Sequence, residues 1–435
     1  MSSTTVRWSA RLGVAALAVG VAAPAAFAAV AWSPVNTADK ATGTATGAAT
    51  WSYGSNFDKT DNGKVWNAYT TDKPGGTWAS DTGPYQGVYV RSGVGASGKT
   101  VAWQTGAGQR ISQLNQHSDR ATLATAGNNV FATWVTVASY DNYDPAKPRP
   151  VYFRANVAGW KPTVALTTTS ARTDYPVVAA AGSNVYVAWT NSNTGDVVLR
   201  RSTNNGGAWG TATKLGTTTR VDPDDAVEGK AAWPSVCASG SNVALVYLPA
   251  ASGDVTMRLS TDGGTTFGAA KSLGAKTAGS DRGWAQCDLE GTRIGVAWSE
   301  NDGVYYAEYN ANGSTTTARK KVVALPSGSY VAAYAVTPAL IGTGKVGIAA
   351  PLCLTDLCDY NSNKTKIDLT WLESGNNGGT FAAPVVLAKS SVAGKALNDS
   401  PAALWFDATT RYVLYNGWTS GYTNYRLYLA TGLGS

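Results

Sequence analysis

Apolar and polar residues alternate along most of the chain in short runs, and the runs break at small turn-forming clusters. Alternation with a period of two sends one face of an extended segment to a core and the other to water, so it predicts strands. The turns are explicit. Gly127-Asn128-Asn129-Val130, Gly182-Ser183-Asn184-Val185, Gly240-Ser241-Asn242-Val243 and Gly291-Thr292-Arg293-Ile294 each follow an apolar run and open another, as hairpin turns do. Four residues beyond each opening aliphatic stands a large aromatic, Trp134, Trp189, Tyr247 and Trp298, on the same face of its strand. Val65 (with Tyr69), Val346 and Val413 open related strands, and the seven starts lie 65, 55, 58, 51, 52 and 67 residues apart. Such a spacing holds a four-stranded sheet with its loops. The pattern predicts an all-β fold, a single β-propeller of seven four-stranded antiparallel blades, with six blades as the alternative.

The last repeat reads as three strands only, the final two at about 412–420 and 425–430. Near the other end, Trp32-Ser33-Pro34-Val35-Asn36-Thr37 has the pattern of a fourth. An N-terminal strand that completes the last blade removes an open sheet edge. Pro34 suits an outermost strand, which tolerates a missing N–H.

Composition narrows the class. Of 435 residues, 14% are charged and 10% aromatic, whereas a disordered chain is poor in aromatics and rich in charge. The 48 glycines keep no strict period, which excludes collagen, and no apolar run has the length of a membrane helix. Arg7 and Arg11 precede an apolar run at 12–23, and Ala26-Phe27-Ala28 offers a small-x-small cleavage site. Residues 1–28 therefore read as a signal peptide, leaving a propeller domain at 29–435 in a secreted, extracellular protein. Loss of the two arginines takes the formal charge from +7 to +5, too small and scattered a surplus for nucleic acid. In an oxidising compartment four cysteines make two disulfides. Cys353 and Cys358 share a loop, and Cys237 and Cys287 hold nearly equivalent places in successive repeats. A zinc site is the competing reading, but the spacings do not form paired short hairpins and the single histidine, His117, is distant in sequence.

Ser260-Thr261-Asp262-Gly263-Gly264-Thr265-Thr266-Phe267 has the form Ser-x-Asp-x-Gly-x-Thr-aromatic, and the strings at 202–209 and 374–381 match it with Asn204 and Asn376 for Asp. Here the chain resembles the sialidase-like propellers with Asp-box, or BNR, repeats. The box is turn chemistry: the Asx side chain accepts backbone N–H bonds and the glycines take positive φ. In that family the boxes lie on outer hairpins, away from the central site.

Innermost strands of a propeller begin around the central channel, so ligand chemistry is expected there. Ten residues before Val130, Val185, Val243 and Ile294 stand Arg120, Tyr175, Trp233 and Trp284, with Asp119, Asp174 and Arg282 close by. Flat aromatic faces stack on sugar rings, while Asp and Arg suit hydroxyls and carboxylates; the same residues could instead plug the channel. The resemblance to sialidases implies an arginine clamp, for which Arg120, Arg172 and Arg282 are the candidates. It further implies an acid/base, Asp119 or Asp174, and a nucleophilic pair of Glu228 with Tyr330 or Tyr334, as in an exo-α-sialidase-type glycoside hydrolase. The family's Phe-Arg-Ile-Pro string is absent; the nearest, Phe153-Arg154-Ala155, falls on an expected third strand. Asp222, Asp224 and Asp225, with Glu228, offer hard oxygen ligands of the kind calcium takes, or else form an acidic solvated loop. The expected partner is an extracellular glycan or glycoconjugate and the expected state a monomer, with a non-catalytic interaction scaffold as a further alternative.

Overall fold

A computed structural model describes residues 31–434 apart from 33–35, 38–49, 52–55, 72–85, 105–107, 138–147, 219–233, 250–253, 276, 278–283, 326–329, 332–335, 354–365, 390–396 and 420–422. The signal-peptide segment thus lies outside the described residues. The fold is all-β, with seven antiparallel sheets and no helix among the described residues.

The seven innermost strands are Phe57–Lys59, His117–Ala126, Thr173–Ala181, Ser235–Ser239, Gln286–Glu290, Thr337–Ile341 and Leu397–Trp405. Each packs beside the next, and Leu397–Trp405 meets Phe57–Lys59 to close the ring. From the inside outward each of blades 1 to 6 is laid down in chain order. This is a seven-bladed β-propeller, as the hairpin spacing predicts.

Blade 7 is completed from the other end of the chain. Ala31 and Trp32 pair with Leu433 and Gly432, and Asn36 and Thr37 pair with Leu429 and Tyr428. Pairing converts a bare ladder edge on Thr423–Leu433 into satisfied backbone bonds. The ring is held by a strand from the start of the chain.

The interior is divided into seven apolar clusters, one at each junction between neighbouring blades. A single four-stranded sheet cannot bury its own faces, so each blade's faces are covered by its neighbours. Trp134, Trp189, Tyr247 and Trp298, the aromatics four residues into the second strands, are all buried in these clusters. Leu166, Leu215 and Leu273 bring the fourth strands of blades 2, 3 and 4 into the same packing.

Polar side chains add bonds across the junctions. Thr125 N–H of blade 2 donates to Asp58 of blade 1 at 2.7 Å, and Leu340 N–H of blade 6 to Asp288 of blade 5 at 2.6 Å. Between blades 4 and 5 the link is covalent, because Cys237 and Cys287 form a disulfide with Cα atoms 6.0 Å apart. Cys353 is disulfide-bonded too, and its expected partner Cys358 lies outside the described residues.

The three box turns fold as their side chains require. Asp262 accepts from the Thr265 and Thr266 N–H groups, both at 3.0 Å, and from the Thr266 hydroxyl at 2.6 Å. These bonds hold its carboxyl far below the usual carboxylate range. Asn204 and Asn376 make the corresponding bonds to Ala208 and Thr380 N–H, each at 2.8 Å. Every box reaches over the preceding blade: Gly206 lies against Phe153, Gly264 against Tyr186 and Gly378 against Tyr306, leaving no room for a Cβ.

Candidate functional site

Three innermost strands share an irregularity where they begin. The ladder slips at Arg120–Ala121, at Tyr175–Pro176 and at Ser400–Pro401, one residue past Asp119, Asp174 and Asp399 respectively. At each slip the first residue is left-handed, with φ of 56° for Arg120, 53° for Tyr175 and 47° for Ser400. A bulge residue in this conformation is commonly glycine, because a Cβ makes it costly. At Arg120 and Tyr175 the preceding carboxylate compensates. Asp119 accepts the Arg120 N–H at 2.7 Å, and Asp174 accepts the Tyr175 N–H at 3.0 Å.

The bulges turn Arg120 and Tyr175 toward each other. The Arg120 guanidinium lies 4.1 Å from the centre of the Tyr175 ring and forms an ion pair with Asp174 Oδ1 at 2.9 Å. Arg149 takes the other oxygen, Oδ2. Trp284 stands 6.2 Å from Tyr175 centre to centre. Arg120, Asp174, Tyr175 and Trp284 are each between 3% and 6% exposed, so this layer is packed rather than open.

Two of the expected arginines therefore part company. Arg120 joins the cluster, whereas Arg172 donates to Asn193 at 3.3 Å. The second guanidinium on Asp174 belongs to Arg149, which the sequence reading did not single out. It lies between Pro148 and Pro150 on the approach to the third strand of its blade, outside the innermost-strand register; its backbone bridge to Arg172 and the Thr173 hydroxyl on its carbonyl bring it to the site. Phe153-Arg154 falls on the third strand Val151–Asn156, as expected. Trp233, Arg282, Glu228, Tyr334, Asp222, Asp224 and Asp225 lie outside the described residues. Of Tyr330 only the backbone is placed, paired with Cys353.

His117 is buried beside this layer, and its Nδ1 accepts the Gln86 N–H at 3.3 Å. Thr337 donates to the Pro401 carbonyl at 2.6 Å, knitting the opposite side of the ring. Further along the innermost strands, burial pushes the Asp288 carboxyl up to about 6, with Asp58 and Glu290 adding repulsion against two stabilising N–H bonds. Burial raises Asp58 likewise. Among the described residues no three His, Cys, Asp or Glu side chains stand close enough to hold a metal ion.

Among solved structures the chain is similar to a protein of unknown function from Dyadobacter fermentans, at 12% identity, with TM-score 0.46, over 92% of this chain and 99% of that one. It is also similar to the Trypanosoma rangeli sialidase, at 12% identity and TM-score 0.47, over 92% of this chain and 60% of that one, so it spans three-fifths of that enzyme. A Hadza microbial sialidase matches at 12% identity and TM-score 0.42, over 82% and 74%. No family model and no curated protein matches the sequence.

Proposed function

We propose that the protein is a secreted glycan-binding propeller, which takes its saccharide at the face where the innermost strands begin. The observation that carries this reading is the left-handed register at Arg120, Tyr175 and Ser400. Non-glycine residues hold that conformation at a cost of about 1–3 kcal/mol each, and such strain concentrates at ligand sites. It presents a cation, two aromatic rings and a carboxylate in one layer, the chemistry that hydroxyls and ring faces need. Binding fits better than hydrolysis, because Asp174 has both oxygens committed to Arg120 and Arg149.

The burial of Tyr175 and Trp284 favours a second reading, in which the layer is a plug that braces the blades. A glycan array distinguishes the two. For a binding face the wild type retains a glycan and Trp284→Ala weakens it severalfold, with no sialoside turnover by either. Absence of glycan retention together with a sharp fall in melting temperature for Trp284→Ala assigns the plug. Cleavage of a fluorogenic sialoside by the wild type overturns the non-catalytic reading.

A further inference from the structure

The face opposite the strand starts carries the hairpin turns and the boxes, and it is not uniform around the ring. The residue after the opening aliphatic of each second strand is aromatic in blades 1, 2 and 3, namely Trp66, Phe131 and Tyr186. In blade 2, Phe131 stacks on Phe153, and the blade 3 box lies over that pair at Gly206. In blade 3, Tyr186 is fully buried under the blade 4 box and its hydroxyl donates to the Gly263 carbonyl at 3.0 Å. Blade 2 has no box to place over blade 1.

The pairings make the comparison exact in register. Val185 and Val243 face Ser202 and Ser260, the first residues of two boxes, while Val130 faces Asn156. From those serines the anchoring aromatic comes seven residues later, at Trp209 and Phe267. From Asn156 it comes four residues later, at Trp160. Three residues are missing, and the shortened turn bridges directly from Asn156 to Trp160. Where a box would sit there is a cavity of about 420 Å³, with Trp66 among its lining residues. That volume falls within the range of about 300–1,000 Å³ usual for small-molecule sites.

The remaining walls are rich in hydrogen-bond donors. Asn62 Oδ1 accepts from Thr60 Oγ1 and from Lys64 N–H, Asn128 Oδ1 accepts from Asn62 N–H at 3.0 Å, and Asn156 Oδ1 accepts from Gly159 N–H at 3.0 Å. With their oxygens engaged by N–H groups within the turns or, for Asn128, across to the neighbouring blade's turn, the three amides have their NH₂ groups left to offer. Lys64 is the single charged residue among the lining side chains. An indole with three amide donors and one ammonium group is complementary to a ring that carries many acceptors and one negative charge.

We propose that this cavity binds an acidic pyranose, with Trp66 as the stacking surface and Lys64 directed to the sugar carboxylate. The site belongs to the turn face, so it does not rest on the reading of the central face. Ligand-observed NMR with methyl glucuronide and methyl glucoside tests it. The wild type is expected to bind the glucuronide at least about fivefold more tightly than the glucoside. Trp66→Ala should weaken the glucuronide about tenfold, on the scale of an aromatic stacking contact. Lys64→Gln should abolish the preference for the charged sugar, and Asn128→Ala should weaken both sugars. The last two positions are exposed, so these variants decide the matter even where Trp66→Ala disturbs packing. Trp284→Ala on the other face should change nothing here. Equal affinity for the two sugars, failure of the wild type to bind either, or indifference to both Lys64→Gln and Asn128→Ala overturns the proposal.

Discussion

Trp32 meets Trp371 edge to face, with ring centroids 5.8 Å apart and planes at 67°. One ring stands on the strand that completes blade 7 and the other on the third strand of blade 6. Trp32 also covers Gly432, its neighbour across the ladder. The closing strand is thus anchored by backbone pairing and by a ring packed into the adjoining blade.

Deletion of residues 29–40 should therefore lower the melting temperature by many degrees, because a sheet edge and several ladder bonds are lost with the ring contact. Trp32→Ala alone should give a smaller loss, about 2–4 kcal/mol for a half-buried aromatic. Differential scanning calorimetry measures both, and unchanged melting in the deletion counts against closure as a source of stability.

Loss of the Cys237–Cys287 bridge should cost about 2–4 kcal/mol, since it closes a long loop in the unfolded chain. Denaturation of the double Cys→Ser variant against the wild type gives the figure. Peptide mapping of the purified protein should find no free thiol, and a Cys237 peptide linked to anything but Cys287 would contradict the assigned pairing.

Asp174→Asn leaves two buried guanidinium groups facing a neutral amide. Removing one partner of a buried charge pair costs about 3–5 kcal/mol, and here one carboxylate serves two arginines. The effect should appear as a lowered denaturation midpoint with an unaltered slope. A loss below about 1 kcal/mol would mean that water already screens the cluster.

Asp288 makes stability depend on pH in a definite direction. Its carboxyl is raised in the folded state to about 6, so its contribution is full below the unfolded value and is lost as pH rises through the folded one. Between pH 8 and pH 5 the wild type should gain on Asp288→Asn, measured as the difference in melting temperature at each pH. A difference that stays constant over that interval sinks the argument. Glu300 acts at lower pH: burial opposes its charge, but hydrogen bonds from Trp298, Thr277 and Arg319 hold it at about 2. Its contribution fades as pH falls through the ordinary glutamate range toward that value.

The blades were legible because each second strand opens at a turn of fixed composition and places an aromatic four residues on. The closing strand was legible because Trp32 to Thr37 matches the pattern that the last repeat lacks. Part of the central layer followed from the same counting, which put Arg120, Tyr175 and Trp284 in one register. Arg149 escaped it, because a residue on a connecting loop shares no period with the strands it approaches. The cavity at Trp66 escaped for another reason: a missing box is visible in the sequence of blade 2, but its effect falls on blade 1, and only the packing shows which blade shelters which.

That sheltering has a direction. A box made later in the chain roofs the aromatic of the blade made before it, as at Phe153, Tyr186 and Tyr306. During vectorial synthesis, then, blades 2, 3 and 5 each have a bare ring at the trailing edge until the next blade has emerged. The segment around Trp32 leaves the ribosome early yet has no partner until Thr423–Leu433 follows. Unpaired strands of this kind are open to wrong partners while they wait. The ring can lock only once Thr423–Leu433 has emerged, so the strand at Trp32, made before every blade it helps to close, waits longest for its place.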